Sequence, residues 1–89
     1  MSRVNLDPED LISFANYLNS FSSSLRDDTG NLLAHLRELG DSWRDPKYAE
    51  FADELERNAR AYLDKFDDIA EKVTVELKGT AQRAMEVHR

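Results

Sequence analysis

The residues with the means to do chemistry are few and scattered. His35 and Glu38 stand three apart, the spacing that puts two ligands on one face of a helix. The pairs Asp27–Asp28 and Asp67–Asp68 add oxygen ligands that suggest cation binding. A catalytic metal site needs about three protein ligands converging from facing elements. The second histidine, His88, belongs to a stretch expected to fray, so these groups read as solvated polar faces. The hydroxyl run Ser22, Ser23 and Ser24 has no strand–turn–helix elbow to activate a nucleophile, and no Gly-rich phosphate loop exists. Cysteine is absent, which removes thiolate nucleophiles, thiolate metal sites and disulfides together. The expectation is a protein with no catalytic residues, no metal and no cofactor.

The elements that would position any site are two helices. Asp7 stands where an N-cap belongs, Pro8 follows at the first helical position, and Glu9 and Asp10 add negative charge at the positive end of the helix dipole. Leu6 and Leu11 have the spacing of a hydrophobic staple. Large apolar residues then recur at Leu11, Phe14, Leu18, Phe21, Leu25, Leu32, Leu36 and Leu39, in steps of three and four. Asp28 and Gly30 interrupt that stripe and predict a local bend or polar contact. Gly40 predicts the helix stop.

Asp45-Pro46 repeats the start signal. A second stripe follows through Tyr48, Phe51, Leu55, Ala59, Tyr62, Phe66, Ile69, Val73 and Leu77. Acid-before-base pairs four apart, Asp53/Arg57, Glu56/Arg60 and Asp68/Lys72, suit a solvated helix face. Gly79 is expected to weaken the last turns. The reading is a single all-α domain. Helix one spans about 8–39, the turn about 40–45, and helix two about 46–78 or longer. A short connection makes the helices antiparallel, so the two stripes are expected to face each other. So thin a hairpin provides no deep catalytic pocket.

Charge narrows the partners. A net charge of −6 opposes binding to a polyanion, so no nucleic acid is expected. The longest charge-free run, Leu11 to Leu25, is too short and too polar to span a bilayer, and the acid-rich polar faces do not suit stable membrane insertion. Met1 to Asp10 lacks a basic region followed by an apolar run, so export, if it occurs, is expected without a cleaved signal peptide.

A lone hairpin buries one side of each helix, and an interior so thin rarely supplies more than ~3–5 kcal/mol. Helix one carries no charge between Asp10 and Arg26, and apolar residues appear off the main stripes. Ile12, Ala15, Leu18 and Ser22 on helix one, with Leu63 and Ala70 on helix two, are therefore the expected partner surface. Two hairpins side by side would form a four-helix bundle. The alternative is that Ser, Asn and Ala are neutral filler. Two copies would carry −12, twice −6, which leaves self-pairing and pairing with a related chain both open.

The stretch Leu39-Gly40-Asp41-Ser42-Trp43-Arg44-Asp45 lies between two amphipathic helices in a chain of 89 residues, with Phe51 eight positions beyond the Trp. In length, hairpin and central Trp turn the chain resembles the WXG100 (ESAT-6-like) family of type VII secretion. Trp43 and Asp45 stand at the motif's Trp and Gly positions, so the turn reads Trp-Arg-Asp; Asp45 can cap helix two where Gly would only permit the turn. Trp43, Tyr48 and Phe51 are the candidate turn residues. The resemblance implies antiparallel hairpins paired as homodimers or heterodimers with a related hairpin. It further implies a cytoplasmic protein exported by a complex with an FtsK/SpoIIIE-type ATPase, or the escort of a larger secreted protein. The family's Tyr-x-x-x-Asp/Glu export signal is missing: Tyr62 is the last tyrosine, Phe66 stands four positions on, and Asp67 one further. Either a partner supplies the signal or the chain is an intracellular adaptor or assembly subunit unrelated to secretion.

Overall fold

The structure is a computed structural model and describes residues 6–87. Helix α1 spans Pro8–Ser42 and helix α2 spans Pro46–Val87, and no strand occurs among the described residues. The Asp7 carboxylate accepts from Glu9 N–H at 3.0 Å and caps α1. The Asp45 carboxylate does the same for α2, accepting from Lys47 N–H at 2.9 Å. Each cap satisfies a donor that the first helical turn leaves without a partner. The result is an antiparallel hairpin with extents of 66 × 20 × 20 Å.

One sequence expectation gives way. Helix α1 passes through Gly40 and ends at Ser42, so the connection is Trp43 to Asp45 and not 40–45. Gly40 does not take the left-handed conformation of a helix stop, since no described glycine has positive φ; the Trp43 N–H closes the helix on the Leu39 carbonyl at 2.8 Å. Gly40 serves a different purpose, because a Cβ there would lie 2.8 Å from the Tyr48 ring. The helix also runs unbroken through Asp28 and Gly30, where the Thr29 hydroxyl donates to the Leu25 carbonyl at 2.7 Å. Helix α2 continues past Gly79 to Val87, within the expected extent of 46–78 or longer, and His88 lies outside the described residues.

The seam between the helices interleaves small residues with leucines. Ala15, Leu33 and Leu36 of α1 and Ala70, Thr74 and Ala81 of α2 are buried, with Ala15 and Ala81 wholly so. Between them lie the half-buried Leu18, Ser22, Leu25, Thr29 and Gly40, and from α2 Ala52, Ala59, Leu63 and Phe66. These positions recur with the straight-helix period. Small side chains at Ala15, Ala70 and Ala81 are the most deeply buried of these, and Gly40 leaves the space that the Tyr48 ring fills.

Candidate partner-binding face

Several large apolar residues end up outside the seam. Phe14, Phe21, Leu32 and Leu39 of α1 and Phe51, Tyr62 and Ile69 of α2 keep between 43% and 78% of their surface exposed. On a helical wheel both sets sit roughly 70–100° from the seam, displaced in the same rotational sense. Because the helices run antiparallel, equal displacements bring both sets to the same broad side of the hairpin. Two ring contacts tie that side together across the seam. Phe21 meets Phe66 edge-on with centroids 5.6 Å apart, and Trp43 of the turn meets Phe51 at 5.9 Å.

The opposite broad side is polar. Arg26 and Asp67 form an ion pair across the seam, and the Thr74 hydroxyl donates to Asn19 Oδ1 at 3.5 Å. The Ser22 hydroxyl and Asp67 Oδ1 are buried near this side without a hydrogen-bond partner. Away from it, α2 carries the within-helix pairs Asp53–Arg57, Glu56–Arg60 and Asp68–Lys72. The hydrogen bond from Arg57 to Asp53, reinforced by the carboxylate's charge, raises the guanidinium above its ordinary pKa and keeps it cationic.

At the tip, Trp43 stacks edge-on against Tyr48 at 5.6 Å, and the Tyr48 hydroxyl donates to the Leu36 carbonyl at 2.6 Å. Trp43, Tyr48 and Phe51 thus form one aromatic cluster that closes the end of the seam. Asp45 caps α2.

The residues expected to meet a partner are partly taken up within the hairpin. Ala15 and Ala70 are buried against the opposite helix, and Ile12, Leu18, Ser22 and Leu63 are half-buried. Ala15, Ser22, Leu63 and Ala70 are seam positions, where even a methyl group matters; they are not a free surface. The open apolar side is made instead by residues assigned from sequence to the stripes facing each other. Part of the signal was present as residue size: Ala15, Ala70 and Ala81 mark the seam, whereas Leu33 and Leu36 inside it and Leu32 and Leu39 outside it differ only in position on the helix.

His35 Nδ1 lies 2.8 Å from the Asn31 carbonyl, a bond it makes by donating from its own helix. Among the described residues no group of three or more His, Asp or Glu comes together in a way that could hold a metal ion. No described helix is long and apolar enough to cross a membrane. Comparison with protein-family models, with curated proteins and with solved structures gives no match for this chain.

Proposed function

We propose that this chain is a non-catalytic binding hairpin of the WXG100-like kind, made in the cytoplasm as a type VII secretion substrate or as the small escort of a larger secreted protein. The observation that supports binding is the row of seven large apolar residues left open on one broad side. Fully burying a Leu or Phe side chain is worth about 1.5–3 kcal/mol relative to leaving it in water, so an uncovered row forgoes several kcal/mol that a partner surface would recover. A four-helix bundle is the arrangement in which a second hairpin covers that side. The Trp43 turn and its Asp45 cap support the family reading.

The test is export from producing cells, with and without the FtsK/SpoIIIE-type ATPase of their secretion complex. The expected result is protein in the medium that disappears when the ATPase is deleted, while the intracellular level holds. Protein confined to the cell under both conditions would overturn the secretion reading. It would favour the intracellular adaptor, for which the missing acid four residues after Tyr62 already speaks.

A further inference from the structure

We propose that the polar broad side carries a binding site for a small organic carboxylate, held by Arg26, Arg37 and Arg60. The site lies across the molecule from the open apolar residues and stands whether or not the chain is exported.

The three arginines share one groove of about 270 Å³, lined also by Leu33 and Leu63. Arg26 and Arg37 stand about three turns apart on α1, and Arg60 closes the groove from α2. Gly30, between the two α1 arginines, keeps it open, since no atom lies within 4 Å of where its Cβ would stand. No acid is among the described residues that line it. In a chain of net charge −6 this is a local reversal of sign.

The guanidiniums have donors to spare. Each carries five N–H groups. Arg26 bonds Asp67 through Nη2, and Arg60 bonds Glu56 through Nε and Nη2. Those carboxylates hold the two arginines in place and leave further N–H groups free. Arg37 enters no ion pair among the described residues. Asp41 and Asp64, four residues on from Arg37 and Arg60, are exposed and unpaired with them, and water weakens their effect on the groove. Three cations against two bonded carboxylates leave one positive charge, which a single carboxylate balances and a dianion exceeds.

A guanidinium fork matches a carboxylate through two parallel hydrogen bonds. Leu33 and Leu63 offer apolar contact beside it. Ligand pockets start at ~300 Å³, so the groove admits only a carboxylate on a small apolar body.

The probe is N-acetyl-leucine, titrated into the full chain in low-salt, phosphate-free buffer and followed by nuclear magnetic resonance. The amides of Gly30, Leu33 and Leu63 and the Arg37 Nε–H should shift saturably, and N-acetyl-leucinamide, which lacks the charge, should leave them in place. Arg37→Gln should weaken binding about tenfold, as expected for the loss of charged hydrogen bonds. Lys72→Gln, the same change in charge away from the groove, should leave affinity unaltered. Gly30→Leu fills the groove and should abolish the shifts in a protein that still melts cooperatively. Inorganic phosphate binding as tightly as N-acetyl-leucine would overturn the ligand class. Equal weakening by Lys72→Gln and Arg37→Gln, or no saturable shift with any of the three probes, would overturn the site.

Discussion

Gly30 and Gly40 lie in one helix, and the same substitution should have opposite signs at the two. An alanine gains about 1 kcal/mol over glycine in a helix interior. At Gly30 nothing lies within 4 Å of the added methyl, so Gly30→Ala should stabilise by close to that amount. At Gly40 the methyl would sit 2.8 Å from two carbons of the Tyr48 ring and 2.9 Å from its hydroxyl. The ring has little room to yield, since Trp43 lies on it at 5.6 Å and its hydroxyl is bonded to the Leu36 carbonyl. Overpacking of this sort costs about 1–3 kcal/mol, and a strained hydrogen bond adds about 0.5–1.5 kcal/mol. Set against the propensity gain, Gly40→Ala should destabilise by about 1–3 kcal/mol. Urea melts at one fixed protein concentration would measure both, because any association shifts the midpoint with concentration. In a Tyr48→Ala background the Gly40→Ala change should turn favourable, a coupling read by a double-mutant cycle. Stabilisation by Gly40→Ala in the parent chain would refute the wedge between Gly40, Tyr48 and Trp43.

Two further substitutions separate the two sides of α1. Ala15→Glu places a carboxylate at a wholly buried seam position, and far-ultraviolet circular dichroism should show loss of cooperative folding. Phe14→Glu, one residue away on the open side, should keep a cooperatively folded hairpin in the same measurement. Ser22→Ala removes a buried hydroxyl that has no partner and should raise stability by about 0.5–1 kcal/mol in the same urea melts. Arg26→Ala breaks the ion pair across the seam. Since the arginine side chain keeps 59% of its surface exposed, the loss should stay below about 1 kcal/mol and shrink further in salt.

The helices were legible because their signals are local. Asp7-Pro8 and Asp45-Pro46 each combine a side-chain acceptor with a ring that needs no N–H donor, and both caps form as the sequence predicts. Ends without such chemistry were harder to place. Gly40 reads as a stop because glycine tolerates the left-handed conformation, yet here it is helical and is used for the space its missing side chain leaves. Only the ring of Tyr48, eight residues further along the chain, shows that. Gly79 is likewise carried inside the helix, where an added Cβ would reach no nearer than 3.5 Å to the Arg83 guanidinium.

Side-chain size is what periodicity omits. A stripe of Phe and Leu at steps of three and four looks like a core, and the same helix holds a second stripe at Ala15, Ser22, Thr29, Leu33, Leu36 and Gly40. Two long helices in direct contact must choose which stripe to turn inward. Ala15, Leu33 and Leu36 turn inward, and Phe14, Phe21, Leu32 and Leu39 then pack beside the seam, half against the protein and half against water. Phe21 shows the compromise: its ring meets Phe66 at 5.6 Å while 47% of the residue stays exposed. Turning every large residue inward would leave two polar sides, whereas the arrangement adopted keeps seven large apolar residues partly in water on one broad side.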